Sequence, residues 1–268
     1  MPELQARIGD NMGIFGKPEY NSLGIAEIVT RTGENSAMLQ DIYCIRMKAG
    51  DVRTFLSDTD ETAILLLEGE IEFKWNDKSF KASRGNVFDD GMYALHISRS
   101  TRAQVVALTD CEILTQATDN ERTFEPKLYT PEDCQDVISG ENLCKGTCVR
   151  LVRTAFDYNN APYSNMVLGE VISNQGSWSS YIPHWHPQPE VYYYKFDKPQ
   201  GFGAGFAGDD AFKIVDGSFL AIPGGKTHPH STAPGYRMYF VWMIRHLPGN
   251  PWTDRIDDPD HTWLYDYK

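Results

Sequence analysis

The sequence feature that most constrains the fold is a succession of short strand-like runs, separated by turns, that begins near Ala49. The runs are either alternating or continuously apolar, and almost none has the 3.6-residue periodicity of an amphipathic helix. The pattern predicts one hairpin that turns at Glu68–Gly69 and another that turns at Asn76–Asp77. Strands at such short spacing predict an all-β chain that forms a sandwich or a barrel.

A second feature is the stretch PHWHPQPE, which places two histidines one residue apart and a glutamate four residues further on. Because the side chains of a strand alternate between its faces, His184 and His186 project to one side, and both imidazoles can reach one metal ion. Glu190 begins the next strand and can supply an oxygen ligand. The later run GSFLAIPGGKTHPH places His228 after a turn rich in glycine and proline.

These two segments resemble the first and second signatures of the cupin family. The resemblance implies a divalent metal held by four ligands, His184, His186, Glu190 and His228. Neutral imidazoles and a carboxylate suit zinc, manganese, iron, nickel or copper, and we expect one ion per chain, with zinc or manganese favoured. The alternative is a metal-free barrel that has kept the motif.

Length and composition exclude several classes of protein. The 268 residues can form one large or two small domains, and either size buries an ample core without disulfides. The formal net charge of −12, with no cluster of Lys or Arg, predicts that neither nucleic acid nor an anionic membrane is a partner. No run is apolar for long enough to span a membrane as a helix. An odd number of cysteines, five, and a start without a signal-peptide pattern predict a reduced, cytoplasmic protein.

An internal repeat links the two halves of the chain. Residues 85–96 cover the same positions as residues 217–228, which places His96 opposite His228. The positions that match the other three predicted ligands hold Leu56, Asp58 and Thr62. The first half is therefore predicted to be a barrel without a metal site, in which His96 is a packed or hydrogen-bonded histidine.

The segment between the halves contains a helix signal. Thr130 is a predicted N-cap, Pro131 follows at the first helical position, and Gly140 marks the end. The predicted fold is a bicupin, two tandem jelly-roll β-barrels with few short helices. Its parts are a first cupin-like barrel (1–128), a linker with a short helix (129–148), and a metal-binding barrel with a tail (149–268).

Longer runs of the sequence resemble a particular family. The runs NAPYSNMVLGEVI, GSWSSYIPHWHPQPEVYYYKF, PQGFG, IPGGKTHPHSTAPGYRMYFVWM and DDPDHTW look like the 5-deoxy-glucuronate isomerases of myo-inositol catabolism. This bicupin family is related to the 5-keto-4-deoxyuronate isomerases of pectin breakdown. The resemblance spans the chain, is close from about Arg150 to Trp263, and implies conversion of 5-deoxy-glucuronate to 5-dehydro-2-deoxy-gluconate. The loop after His186 is shorter here than in that family, so a related uronate or ketose is the alternative substrate.

The chemistry that the resemblance implies needs further side chains. A metal polarises the carbonyl of an aldose or ketose, and a side chain must carry a proton between neighbouring carbons. The predicted proton carriers are His230, then Tyr236 and Tyr239. The residues predicted to bind the substrate, a sugar acid, are Arg237, Lys195, Arg153, Arg255 and Tyr194.

Two rival functions use the same ligand set. A cupin dioxygenase would hold iron, nickel or copper, and a non-catalytic cupin would only bind a sugar. An isomerase works without oxygen, whereas the dioxygenase requires it. The aromatic and proline-rich C-terminal tail is typical of segments that pack across a neighbouring barrel or subunit, and the alternative is a surface wrap within one chain. We expect a homo-oligomer.

Overall fold

The computed structural model describes residues 13–268, so the predicted absence of a signal peptide at the start of the chain lies outside the described residues. The first ten strands are β1 (Phe15–Gly16), β2 (Ile25–Val29), β3 (Asp41–Met47), β4 (Val52–Phe55), β5 (Asp60–Trp75), β6 (Lys78–Arg84), β7 (Tyr93–Ile97), β8 (Ala103–Ala107), β9 (Cys111–Asp119) and β10 (Lys127–Tyr129). The next six are β11 (Val137–Ser139), β12 (Arg150–Phe156), β13 (Met166–Ser173), β14 (Trp178–Ser179), β15 (His184–Trp185) and β16 (Glu190–Phe196). The last six are β17 (Phe202–Ala207), β18 (Asp210–Val215), β19 (Phe219–Ile222), β20 (His230–Thr232), β21 (Met238–Arg245) and β22 (Ile256–Asp257).

Helices are few and short. Three 3₁₀ helices occur in the described part of the chain, at Ser36–Met38, Cys144–Gly146 and Pro259–Tyr265. None of the described helices is long and apolar enough to cross a membrane. The all-β prediction is confirmed.

The strands form two barrels. The first barrel contains β2–β10, with the path β10-β7-β5-β9-β3-β2 extended by β4, β6 and β8. The second is built on a seven-stranded sheet with the order β1-β19-β16-β21-β13-β12-β11, and a four-stranded sheet with the order β14-β20-β17-β18. Ile214 of β18 packs with Leu220 and Phe240 of the larger sheet, so an apolar core lies between these two sheets. The short pair β15–β22 lies beside them.

The two barrels share a core of their own. Ile42 and Leu65 of the first barrel belong to the same buried cluster as Leu168 and Met243 of the second. A large shared apolar cluster of this kind makes the two barrels one packed unit, because separating them would expose it to water. The two large sheets therefore each have one face toward their own barrel and one toward the partner barrel.

The predicted hairpin at Glu68–Gly69 is wrong. Strand β5 continues through these residues for 16 residues, with only a register shift against β9 between Leu66 and Glu68. Gly69 has a φ of +105°, and a Cβ there would lie 2.5 Å from the Cβ of Cys111. The glycine thus allows a bulge and close approach to the neighbouring strand, so that one long strand serves two sheets. The second predicted turn, at Asn76–Asp77, is confirmed.

The predicted helix after Thr130 is also wrong. Thr130 and Asp133 bond to each other as a helix cap would, but the segment closes only one turn. The chain then extends as β11, in which Ile138 pairs with Leu151 of β12. Pairing along the sheet edge supplies backbone hydrogen bonds that a helix of so few residues cannot match, because helix nucleation is costly.

The strand pairing joins two segments to the second barrel from outside residues 149–268. One is β11 of the predicted linker, which pairs with β12. Strand β1, at the start of the predicted first barrel, pairs with β19 of the second barrel. Phe15 also stacks on Phe212 of β18, with ring centroids 5.2 Å apart. The second barrel is therefore completed by residues from the beginning of the chain.

Candidate metal centre and active site

The predicted metal ligands come from three neighbouring segments of the second barrel. Strand β15 carries His184, and β16 begins at Glu190, which pairs with Ile222 of β19 on one side and Ile244 of β21 on the other. The loop between β19 and β20 carries His228. A central strand and two short flanking segments thus converge at one end of the barrel.

A tight loop contact holds these segments together. The backbone N–H of Gly225 donates to the carbonyl oxygen of His186, at 2.8 Å. A Cβ at Gly224 would lie 1.9 Å from the carbonyl oxygen of Pro187, so only glycine permits this approach. The glycine pair in IPGGKTH therefore brings the loop that carries His228 against the loop that carries His186.

Backbone carbonyls orient all three histidines in the same way. Nδ1 of His184 lies 2.8 Å from the carbonyl oxygen of Ile182, Nδ1 of His186 lies 2.9 Å from that of Gln188, and Nδ1 of His228 lies 2.8 Å from that of Lys226. A carbonyl oxygen can only accept a hydrogen bond, so each Nδ1 carries the proton. In the neutral ring Nε2 then presents a lone pair, which is the arrangement that metal-binding histidines use.

The Nε2 lone pairs meet a carboxylate. Oε2 of Glu190 lies 3.1 Å from Nε2 of His186 and 3.3 Å from Nε2 of His228. The candidate ligand atoms of these three buried residues all lie within 4.8 Å of one another. The ring centroid of His184 lies 4.8 Å from that of His228, although His184 is outside the closest group of three.

Two of these histidines have a lowered pKa. Burial, and then the proximity of His228, lowers the pKa of His184 to about 2. Burial likewise lowers the pKa of His228, although the Glu190 carboxylate opposes this effect. Nε2 of His228 is buried and has no hydrogen-bond partner among the described residues. A cation between the imidazoles and the carboxylate would satisfy all these atoms, so the residues fit a divalent metal.

These ligands open into a small cavity of about 160 Å³. His184, His186 and Glu190 line it, together with Arg150 from β12 and Arg255 from the segment before β22. The rest of its wall is largely apolar and aromatic: Val152, Val171, Tyr192, Phe240, Trp242, Ile244 and Trp252. A cavity that combines convergent polar groups with aromatic walls is typical of a small-molecule site.

Two predicted residues lie in the barrel core near this cavity. His230 is fully buried, with Nδ1 3.2 Å from the hydroxyl of Tyr194 and with Nε2 unpartnered among the described residues. Burial, followed by the proximity of His228 and His184, lowers the pKa of His230 well below its ordinary value. Neither His230 nor Tyr194 lines the cavity, and their predicted roles stay predictions.

The structure places the other two predicted tyrosines away from the cavity. Tyr239 lies on the face of β21 opposite to Phe240 and Trp242, where its hydroxyl donates to Glu170 at 2.8 Å. Tyr236 is half-buried near Phe202, at the other end of β17 from the turn to β18. Adjacent residues of a strand point to opposite faces, which separates Tyr239 from the site.

Three of the four basic residues that were predicted to bind the substrate also lie outside this cavity. Arg153 pairs with Asp136 and Glu170, and Arg237 pairs with Asp89 and Asp197. Lys195 pairs with Glu112 of the first barrel and lines a larger open groove of about 770 Å³ there. Only Arg255 lines the histidine cavity, where it pairs with Asp257 at 3.0 Å.

Sequence reasoning missed two residues of the cavity. Tyr192 follows Glu190 by two positions on β16, so strand alternation was a sufficient signal for its inward direction. Its hydroxyl lies 3.3 Å from that of Ser180. Arg150 opens β12, and no local pattern in the sequence indicates that this strand runs beside β13 along the cavity.

Comparison with known proteins agrees with this architecture. The model of the KduI/IolB family matches residues 17–264. The curated 5-deoxy-glucuronate isomerase of Bacillus licheniformis is 26% identical over 278 residues, which cover 94% of this chain and 98% of that protein.

Solved structures are similar over most of the chain. An IolB-like protein from Salmonella typhimurium LT2 has a TM-score of 0.83 at 21% identity and covers 94% of this chain and 98% of its own. The oxalate decarboxylase of Bacillus subtilis has a TM-score of 0.61 at 14% identity and covers 91% of this chain and 79% of its own. The fold is a cupin jelly roll, as predicted. Because the family model spans nearly the whole chain and a curated isomerase aligns end to end, the protein belongs to the KduI/IolB family and is an isomerase.

Proposed function

We propose that this protein is a metal-dependent aldose–ketose isomerase of a sugar acid, and that it converts 5-deoxy-glucuronate to 5-dehydro-2-deoxy-gluconate in myo-inositol catabolism. The observation that carries the proposal is the convergence of Nε2 of His186 and Nε2 of His228 on the Glu190 carboxylate, while Nδ1 of each ring bonds to a backbone carbonyl. The names of the curated relatives support the substrate, since they are 5-deoxy-glucuronate isomerases.

The proposed ligands are His184, His186, Glu190 and His228, with one divalent ion per chain. The Bacillus subtilis oxalate decarboxylase is described as having Mn(II) centres, which supports manganese beside zinc as the candidate. When bound, such an ion polarises a carbonyl and stabilises the negative charge that develops when a neighbouring C–H proton is removed. His184 is positioned by β15, whose pairing with β22 sets its distance from the other three ligands.

Tyr192 is the proposed proton donor. Tyr192 lines the cavity, and burial, followed by the proximity of Glu190, raises the pKa of Tyr192 well above its ordinary value. The phenol therefore keeps its proton at neutral pH and can donate it to a substrate oxygen. His230, whose ring lies edge-on to Tyr192 with centroids 4.5 Å apart, is proposed to hold that ring in place.

The reaction is tested by incubating the manganese- or zinc-loaded protein with 5-deoxy-glucuronate and with a panel of other uronates, with NMR detection. We expect anaerobic turnover. In D₂O we expect deuterium on the carbon next to the carbonyl, because the side chain that accepts the C–H proton, for which His230 is the candidate from the sequence, exchanges it with water before returning it to the neighbouring carbon. Turnover only with oxygen, with cleavage of a carbon–carbon bond, would favour the dioxygenase. Turnover of a different uronate, without turnover of 5-deoxy-glucuronate, would keep the assignment as an isomerase and change the assigned substrate.

The role of Tyr192 is tested with the matched variants Tyr192→Phe and Tyr194→Phe. Both remove one hydroxyl from a buried ring of β16, but only Tyr192 is a residue that lines the cavity. We expect kcat to fall by about 10²-fold in Tyr192→Phe, the usual contribution of one general acid or base, and by less in Tyr194→Phe. Equal kcat in both variants would remove Tyr192 from the mechanism.

The proposal includes a homo-oligomer in the cytoplasm. Trp263, Tyr265 and Tyr267 of the C-terminal tail are exposed, and aromatic side chains of this kind are enriched in interfaces. All five cysteines are free and buried, which suits a reducing compartment. Light scattering of the eluting protein tests the subunit number, and a mass of one chain would contradict the oligomer.

A further inference from the structure

Arg150 differs from the other well-buried arginines. Arg84, Arg153 and Arg245 each pair with a carboxylate, from Glu170 or Asp119. Arg150 is only 7% exposed, yet within residues 13–268 it has no carboxylate partner. Its one hydrogen bond there goes from Nη1 to the carbonyl oxygen of Cys148, at 2.8 Å.

An uncompensated buried guanidinium is energetically unfavourable, and the structure shows the effect. Burial, followed by the proximity of Arg255, lowers the pKa of Arg150, although an arginine of this kind still remains charged at neutral pH. The remaining N–H donors of Arg150 are not among the buried, unpartnered atoms. They therefore reach accessible space, and Arg150 is one of the residues that line the histidine cavity.

The strand fixes the direction of this side chain. Arg150 and Val152 are two positions apart on β12 and both line the cavity, whereas Arg153 points to the buried Glu170 on the other face of the sheet. Arg255 adds a second positive charge from another segment, but Asp257 already balances part of it. The cavity thus has imidazoles and a carboxylate in one part of its wall and an unbalanced cation in another.

We propose that Arg150, assisted by Arg255, binds the carboxylate of the substrate and selects sugar acids over neutral sugars. The inference rests on the proposed function for the identity of the sugar. A guanidinium binds a carboxylate through two parallel N–H donors, so it fixes the orientation of the acid as well as its charge. With its carboxylate held there, a short sugar chain presents its other end to the histidines.

The test measures binding of D-glucuronate and of its neutral methyl ester, by tryptophan fluorescence, since Trp242 and Trp252 line the cavity. The metal-loaded wild type is compared with Arg150→Met, Arg150→Lys and the control Arg237→Met, whose arginine is paired outside the cavity. We expect Arg150→Met to raise Kd for D-glucuronate about 10- to 100-fold and to change Kd for the ester by less than about threefold. Arg150→Lys should be intermediate, because it keeps the charge but loses the planar pair of donors.

Stability provides a second readout. Arg150→Met should unfold at the same or a higher temperature than the wild type, because it removes a buried charge without a partner. Equal affinity of wild type and both Arg150 variants for D-glucuronate would overturn the inference, as would a wild type that does not bind it. Arg150-dependent binding without isomerisation of 5-deoxy-glucuronate would overturn the proposed function and leave this site. Isomerisation of 5-deoxy-glucuronate with an unchanged kcat/KM in Arg150→Met would overturn this inference and leave the proposed function in place.

Discussion

His96 of the first barrel and the candidate ligand histidines of the second barrel have different surroundings. In the second barrel Glu190, Tyr192 and Tyr194 share the inner face of β16. In the first, the inner face of β5 carries Ile64 and Leu66, and His96 pairs with Ala63, whose side chain points outward. His96 stacks on Phe156 of the second barrel, with ring centroids 4.2 Å apart, and its Nε2 donates to Glu61 at 2.9 Å. The prediction that His96 is a packed histidine is confirmed.

The difference shows that the position of a histidine in the barrel decides its surroundings. Alternate residues of a strand face the barrel interior and the interface between barrels, and His96 lies on the interface side. There His96 contributes to packing and to a buried hydrogen-bond network around Glu61, which also accepts from Ser164 and Asn165. The same residue type therefore lines the candidate metal centre in one barrel and contributes to cohesion between barrels in the other.

The largest expected effect comes from exchanging these histidines for alanine. His228→Ala should weaken metal binding and lower kcat/KM by more than about 100-fold, because it removes a ligand, while the barrel stays folded. His96→Ala should keep one metal per chain. Elemental analysis of both variants measures this, with circular dichroism as the folding control. Full metal occupancy in His228→Ala would contradict the role of His228 as a ligand. Two metals per wild-type chain would contradict a first barrel without a metal site.

The second effect is on the free energy of unfolding, and here His96→Ala should have a larger effect than His228→Ala. His96→Ala should lower the free energy of unfolding by about 3 kcal/mol, because it leaves the buried Glu61 carboxylate short of one charge-assisted donor and removes a stacked ring. Denaturant unfolding of apo proteins measures it, with apo His228→Ala as the matched control. A loss in the control as large as in His96→Ala would show that both histidines stabilise the fold.

The third prediction concerns pH and His246 of the second barrel. Nδ1 of His246 accepts from the backbone N–H of Trp252 at 2.9 Å, and burial, followed by the proximity of Arg245, lowers the pKa of His246 to about 4. The unfolded chain takes up this proton near pH 6.5 and the folded chain does not. The contribution of His246 to the free energy of unfolding should therefore be constant above pH 6.5. It should fall by about 2 kcal/mol as the pH decreases toward 4.

The variant His246→Asn sharpens this prediction. The asparagine side-chain oxygen can accept from Trp252 but does not titrate, so the fall in stability should become shallower between pH 6.5 and 4. Chemical denaturation at a series of pH values gives the comparison. An unchanged slope would assign the acid sensitivity to other groups.

The smallest expected effect concerns Tyr239. Tyr239→Phe removes one hydrogen bond to Glu170, which Arg84 and Arg153 still hold, so stability should fall by about 1 kcal/mol. Its kcat should stay within about twofold of wild type, in contrast to Tyr192→Phe. A large fall in kcat without a change in KM would restore Tyr239 as a proton carrier.

Local sequence patterns were sufficient for the all-β class and for the placement of His184, His186 and Glu190 at one cavity. The spacing of His184, His186 and Glu190 is short, so strand alternation and one turn fix their convergence. Alternation from Glu190 also indicates the inward direction of Tyr192. A glycine beside a glutamate gives the same local signal for a turn and for a β-bulge, so the sequence alone predicts a turn at Gly69.

The cations could not be assigned locally. Arg153, Lys195 and Arg237 are paired with acidic residues that lie between 17 and 148 positions away in the sequence. Which cation stays unpaired depends on how the barrels pack, and this is set by contacts distant in sequence. Arg150 stands out only when the partners of every buried arginine are known.

The pairing of β1 with β19 has a consequence for biosynthesis. Strand β1 leaves the ribosome first, but its partner around Leu220 is made about 200 residues later, which at ~5–20 residues per second is a delay of about 10–40 s. During that interval the edge of β1 is unpaired, while the first barrel can already close. Its two-residue length limits the exposed edge that another nascent chain could capture.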